Sequence, residues 1–239
     1  MIYPITQLFK NGLKKIGIII SRQDLSMEGC FERSIHRGID INSVIDVGAA
    51  VGGWSQMVLK YLPNAQYLLI EAQEAHLASL EKLQSNHAKI DIVLAAAGNR
   101  EGKIYFNNQD LFGGLASEMP FEKHSIEVPV TTIDIEVKKK NLKPPFCIKL
   151  DTHGFEVPIL EGAKETLKKT NLVIIEAYNY QLTKDSLRFF ELCGYMKNLG
   201  FSPIELADVS LRPYDNSLWQ MDIFFIPSDN KAFHYNSHK

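Results

Sequence analysis

Val44-Ile45-Asp46-Val47-Gly48-Ala49-Ala50-Val51-Gly52-Gly53-Trp54-Ser55 reads as a buried strand, a glycine-rich turn and the start of a helix. The apolar run from Val44 to Val47 suits the centre of a parallel sheet, where both faces of a strand are covered. Gly48 and Gly52 stand where the chain must turn sharply and let a ligand near its backbone. Trp54, Met57, Val58, Tyr61 and Leu62 then fall on one helical face, and Pro63 with Asn64 ends the helix. A strand, turn and helix of this kind set backbone N–H groups at the carboxyl edge of a sheet. Open α/β proteins bind nucleotide-like ligands there.

The glycine spacing narrows the ligand. A dinucleotide turn takes G-x-G-x-x-G, but Ala50 stands at its second glycine, and a Cβ there crowds a pyrophosphate. The phosphate-cradling pattern G-x-x-x-x-G-K-[ST] also fails, because Gly53 is followed by Trp54 and Ser55, with no lysine. What remains is D-x-G-x-x-x-G, formed by Asp46, Gly48 and Gly52. The next strand, residues 65–70, ends at Glu71, one helix-plus-strand unit later. A carboxylate at that place has lone pairs for both hydroxyls of a ribose. The plainer alternative is a solvated charge at a strand end.

The chain has 239 residues, 45% of them hydrophobic, and a formal net charge of −2. These figures fit one α/β domain over residues 41–228, preceded by a basic lead-in and helix over 1–40 and followed by a tail over 229–239. No apolar run is long enough to cross a bilayer. Ile16-Gly17-Ile18-Ile19-Ile20 lacks the cleavage pattern of a signal peptide. Three scattered cysteines, Cys30, Cys147 and Cys193, point to a reducing cytoplasm rather than to disulfides or zinc. The near-neutral charge speaks against a nucleic-acid partner, and Lys138-Lys139-Lys140 reads as a solvated helix end. A homo-oligomer stays open.

Further along, helices are expected at 26–36, 74–86, 154–169 (broken near Gly162) and 183–199, the last capped by Gly200. Core strands are expected at 90–97, at 146–150 before Asp151, and at 172–175 before Glu176. Residues 104–106 and 126–130 read as strands of an antiparallel insertion, with a mobile loop over 112–117. Strands 201–206 and 219–226 are joined only by a loop and should pair antiparallel at one edge. Together these give a doubly wound, Rossmann-like, seven-stranded sheet, mostly parallel with an antiparallel C-terminal strand pair.

The second informative stretch is Lys149-Leu150-Asp151-Thr152-His153-Gly154-Phe155-Glu156, at the end of the fourth core strand and facing the same edge as the glycine turn. With Leu160, Gly162 and Ala163 behind it, this stretch resembles K-x-D-x-E-G-x-E…L-x-G-A of the FkbM family of methyltransferases. Val128-Pro129-Val130-Thr131-Thr132-Ile133-Asp134 is similar to that family's V-x-V-x-T-[LI]-D approach, and Val173-Ile174-Ile175-Glu176 to its fifth strand. Asp46, Gly48 and Gly52 likewise resemble the first motif of Rossmann-like S-adenosylmethionine-dependent methyltransferases. The resemblance runs from about Ser43 to Ile226.

It implies the class I methyltransferase fold, S-adenosylmethionine as cofactor, and O-methylation of a hydroxyl on a sugar, glycan or glycosylated natural product. Carried onto this chain, the cofactor residues would be Asp46, Gly48, Ala49, Gly52 and Ser55 of the turn, Glu71 with Ala72, and Ala96 with Ala97 beside the adenine. Asp151, with or without His153, would position and deprotonate the acceptor hydroxyl, under a loop over residues 110–119. His153 departs from the family, which has glutamate there. A histidine can act as a base near neutral pH, or simply bond a neighbouring backbone group.

Asp151 and Glu176 end adjacent strands and could hold Mg²⁺ or another divalent cation, or could bond helix N-termini or the cofactor's amino group. Trp54, Tyr178, Tyr180 and Trp219 are candidate walls for the acceptor, with core packing the default for Trp54. An NAD-dependent oxidoreductase, against which Ala50 counts, and a non-catalytic binding domain are the other readings.

Overall fold

The computed structural model describes residues 24–235 and 237, so the lead-in expected over 1–23 lies outside the described residues. Along the chain run α1 (Met27–His36), β1 (Ser43–Val47), α2 (Gly53–Leu59), β2 (Gln66–Glu71), α3 (Leu77–Asn86), β3 (Ile90–Leu94) and β4 (Ala96–Ala97). Then come β5 (Gly102–Asn107), β6 (Leu115–Ser117), β7 (Ser125–Thr131), α4 (Ile133–Lys139), β8 (Phe146–Leu150), α5 (Glu156–Glu161) and α6 (Lys164–Leu167). The last elements are β9 (Thr170–Tyr178), α7 (Phe189–Asn198), β10 (Phe201–Leu211) and β11 (Leu218–Pro227).

Seven strands form the main sheet in the order β10-β11-β9-β8-β1-β2-β3. β1 pairs in parallel with β2 and β8, and β11 runs antiparallel to both β9 and β10. Every position of β1 and β8 is buried, which their near-continuous Val, Ile and Leu content requires of a centrally placed strand. Alternate residues feed two cores. Ile45, Val47, Ile148, Leu150 and Ile175 pack against α4 to α7, while Val44, Cys147, Leu172 and Ile174 pack against α1 to α3. Such a sheet, covered on both faces, is the class I methyltransferase architecture.

Several boundaries differ from the sequence reading. The third core strand stops at Leu94; the Ala95 N–H makes the last ladder bond, to the Glu71 carbonyl, and Ala96–Ala97 leaves to pair with β7. β4, β7, β5 and β6 make a second, four-stranded sheet, and β6 takes up part of the expected mobile loop. α7 starts at Phe189 rather than near residue 183, because the Glu191 carboxylate accepts the Arg188 N–H at 3.0 Å and fixes the helix start there. The expected helix over 154–169 survives only as α5 and α6, broken at Gly162 as read.

Candidate active site

The turn after β1 is built from left-handed backbone: Gly48, Ala50 and Gly52 have φ of +77°, +47° and +79°. A Cβ on Gly48 would fall 2.1 Å from the carbonyl oxygen of Asp151, so this glycine is what lets the β1 turn lie against the loop after β8. Gly52 serves helix packing, since its Cβ would meet Leu83 at 2.8 Å. Asp46 is buried beneath the turn and accepts the Ser55 hydroxyl at 2.7 Å; burial pushes its carboxyl up to about 6. Glu71, also buried, braces the turn from the next strand. It accepts the Ala50 N–H at 2.7 Å and the Gln73 N–H at 2.8 Å, one on each oxygen. Each oxygen keeps a lone pair for a ligand.

A cavity of about 380 Å³ opens above these residues. Gly48, Ala50, Glu71, Ala72, Ala96 and Ala97 line it at the β1–β2 side. Asp151, His153 and Glu176 line it at the β8–β9 side, and Glu71 on β2 stands three strand spacings, about 14 Å, from Glu176 on β9. Asp46, Ala49, Gly52 and Ser55 do not line it. Leu111 and Phe112, from the loop between β5 and β6, also line it. Gln73 Nε2 and His76 Nε2 both donate to the Leu111 carbonyl, at 2.9 and 2.7 Å, and the His76 ring lies 5.3 Å from Phe112.

The β8–β9 side carries the titratable groups. Lys149, 4% exposed inside β8, donates from Nζ to Asp151 Oδ2 at 2.6 Å. Burial pushes the Asp151 carboxyl up, but the Lys149 ammonium outweighs it and holds the group below its ordinary value. His153 has φ of +52°, in a turn whose next residue, Gly154, leaves no room for a Cβ against Ser186. Its Nε2 lies 3.3 Å from Glu176 Oε2 and 3.7 Å from Asp151 Oδ1. Glu176 also accepts the Tyr178 hydroxyl at 2.5 Å and Gln220 Nε2 at 2.7 Å. Burial, followed by the neighbouring Asp151 charge, pushes Glu176 up to about 8. Glu156 holds the loop from below, accepting the Gly154 N–H at 2.7 Å and the Thr152 hydroxyl at 3.2 Å.

Asp151, His153 and Glu176 each offer a ligand atom within 4.8 Å of the others, the donor set for a metal ion. Sequence reading had joined only Asp151 and Glu176 for that purpose. It gave no role to Lys149, Gln73 or Gln220; the one available signal was a lysine inside the otherwise apolar strand Phe146-Cys147-Ile148-Lys149-Leu150. Of the aromatic walls, Tyr178 lines the cavity. Trp54 packs edge-on against Phe31 in the core, and Trp219 stacks with Tyr178 and Tyr180 outside the cavity lining. Tyr180 and Lys184 have the Tyr-x-x-x-Lys spacing of some oxidoreductases, yet the Tyr180 hydroxyl pairs with Ser217 at 2.6 Å and neither residue lines the cavity.

Known proteins share this architecture. The crystal structure of methyltransferase FkbM from Methylobacillus flagellatus KT superposes with a TM-score of 0.50 at 16% identity, over 77% of this chain and 43% of that one, a likeness of fold. A Streptococcus pneumoniae protein in complex with S-adenosyl-L-methionine superposes with a TM-score of 0.47 at 14% identity, over 84% of this chain and 73% of that one. The ribosomal RNA large subunit methyltransferase E of Methanosarcina acetivorans is 28% identical over 149 residues, 60% of this chain and 52% of that protein. The chain thus spans about half the length of the curated relative it matches. No helix among the described residues is long and apolar enough to cross a membrane. Residues 46–203, more than half of the chain and including both the glycine turn and the Asp151 loop, match the methyltransferase FkbM domain, and the chain belongs to that family.

Proposed function

We propose that this chain transfers a methyl group from S-adenosylmethionine to a hydroxyl of a sugar, glycan or glycosylated natural product. The observation that carries the reading is one cavity with Glu71 at its β2 side and the Asp151–His153–Glu176 cluster at its β9 side. Bound S-adenosylmethionine supplies an electrophilic methyl on a sulfonium. The chain's own task is to hold the acceptor oxygen in line with that methyl, keep water out and take one proton. Glu71 accepts from the ribose hydroxyls with its two remaining lone pairs, and Ala96 and Ala97 border the base. Asp151, ionised and fixed by Lys149, orients the acceptor hydroxyl through its free Oδ1. His153 takes the proton, with its Nε2 held 3.3 Å from Glu176 Oε2.

The same three side chains fit Mg²⁺ or another divalent cation: two carboxylates and an imidazole, with Asp151 Oδ1 not claimed by Lys149. Such an ion, when bound, makes a coordinated hydroxyl more acidic. Loss of turnover on chelation, restored by Mg²⁺, would assign the proton loss to the ion; turnover indifferent to chelation would assign it to His153.

The ribosomal RNA relative raises a nucleic-acid acceptor. A net charge of −2 and the acidic β8–β9 side oppose a phosphate backbone and favour a small hydroxylated acceptor, and the free cysteines Cys30, Cys147 and Cys193 support a cytoplasmic setting.

Calorimetry tests the cofactor. S-adenosylmethionine and S-adenosylhomocysteine should bind in the micromolar range, with NADH as a non-binding control. Glu71→Ala should weaken both, and Glu71→Gln, which keeps one acceptor oxygen, should weaken them less. A folded sample that binds NADH and neither sulfur compound would sink the reading.

A further inference from the structure

Asp151 lines a second cleft as well as the first. This cleft, of about 370 Å³, lies against α1 and α2 and is bounded by Met27, Trp54, Met57, Lys149, Asp208 and Asp222. Sheet register explains the acidity it shares with the main cavity. Asp222 pairs directly with Glu176 across β11 and β9, and Asp151 follows Leu150, whose partner Ile175 precedes Glu176. Directly paired residues point to the same face, so three carboxylates stand in a row across three strands. Lys149, within the sheet, donates to Asp151 and stands near Asp222 as well.

Asp222 is the odd member of the row. It is only 8% exposed, and its Oδ1 is buried without a hydrogen-bond partner among the described residues. The indole N–H of Trp54, on the same cleft, is also buried and unpartnered among those residues. A buried carboxylate without a donor and a buried N–H without an acceptor are both costly, and native proteins rarely leave either unmet without a purpose. Asp208 and Glu28 also line the cleft beside Asp151 and Asp222; Asp208 Oδ1 accepts the Met27 N–H at 3.2 Å, and Glu28 Oε1 accepts from Lys60 and Tyr61.

We propose that this second cleft is the acceptor subsite, and that it takes a primary ammonium group carried by the acceptor, which makes the substrate an amino alcohol such as an amino sugar. The ammonium sits against Asp222 and Asp208, and another hydroxyl of the same molecule accepts from the Trp54 N–H. The reacting hydroxyl reaches Asp151, the wall common to both cavities. In the transfer the methyl–sulfur bond breaks with its electron pair left on sulfur, a methyl–oxygen bond forms, and the hydroxyl proton passes to His153. An ammonium needs three acceptors, which suits this cleft. A divalent ion wants about six oxygen ligands in a closed shell, a larger demand than the three acceptors of an ammonium. Met27 and Met57 give a carbon skeleton an apolar wall. The subsite rests on the proposed methyl transfer at Asp151, but cation binding can be measured apart from it.

The test uses the full chain labelled with ¹⁵N at its two tryptophans, the Trp54 indole signal being assigned with Trp219→Phe. Glucosamine should shift the Trp54 signal saturably, and glucose should not. Asp222→Asn should weaken that binding by about tenfold or more, as the loss of a charge-assisted bond does. Asp208→Asn, which keeps an oxygen for Met27, should weaken it less. S-adenosylhomocysteine should bind all of these proteins alike. No shift with glucosamine, an equal shift with glucose, or full binding by a folded Asp222→Asn protein would overturn the ammonium site. An Asp222-dependent shift caused by Mg²⁺ instead would make it a metal site and overturn the proposal too. Failure of S-adenosylhomocysteine to bind would remove the acceptor role while leaving the Trp54 result to decide the cation.

Discussion

Lys149 shows how one buried charge organises its neighbours. It sits among Asp46, Asp151 and Asp222, and their charges raise its pKa against the burial that would lower it. Lys149→Met should therefore cost about 3–5 kcal/mol at neutral pH, as removal of one partner from a buried ion pair does, and less in acid, where the orphaned carboxylates take up protons. Urea unfolding at both pH values checks this. Glu176 behaves oppositely. Its folded-state pKa of about 8 lies above its ordinary 4.5, so between those values the folded state holds a proton that the unfolded state lacks. Stability should accordingly fall as pH rises from 4.5 to 8, and Glu176→Gln should flatten that slope and melt higher than wild type near pH 8. For His153→Ala, we expect turnover about 10²–10⁴-fold lower with S-adenosylhomocysteine affinity kept. Weakened cofactor binding instead would make His153 a structural residue. Asp151 and Glu176 were legible in sequence as neighbours because Asp151 follows one core strand and Glu176 lies near the end of the next, which runs on to Tyr178. Asp222 was not, since its place beside Glu176 depends on the register of a long-range antiparallel pair.

Among the elements, the core strands were readable because continuous Val, Ile and Leu runs bounded by turn residues have one reading in a parallel sheet. The split between β3 and β4 was not. Residues 90–97 form one unbroken run in composition, and it is the tertiary pairing of Ala96 and Ala97 with β7, after a tight turn in which the Ala95 N–H reaches the Val93 carbonyl at 3.2 Å, that separates them. The start of α7 was misplaced for a related reason: Thr183 is a good capping type, but its N–H is taken by Ser186 Oγ in a turn of its own. The β1 turn offers the sharpest test at this scale. Gly48→Ala must move either that turn or the Asp151 loop, as well as strain a backbone at φ of +77°. We expect a loss of about 1–3 kcal/mol in stability together with weakened S-adenosylhomocysteine binding. A melting temperature and affinity equal to wild type would show that the two loops can part without consequence.

For the molecule as a whole, charge and topology agree. The sheet gathers its acidic residues at one carboxyl edge, and the overall charge of −2 gives no compensating basic field. Methyl transfer should then be indifferent to competitor RNA across a range of salt, and inhibition that fades as salt rises would mark a nucleic-acid acceptor instead.

The second sheet contributes the loop whose Leu111 and Phe112 line the cavity, and Gln73 and His76 hold the backbone of that loop at Asp110 and Leu111. Gln73 and His76 both donate to the Leu111 carbonyl, while the N–H of Gln73 is bound to Glu71. The fastening of the roof and the brace of the floor thus meet in a single glutamine. A hatch whose two pins share one edge opens wholly or stays shut. Residence time on the protein should therefore follow the rate at which those two bonds let go together, and Gln73→Ala should hasten dissociation of S-adenosylhomocysteine far more than it slows its arrival.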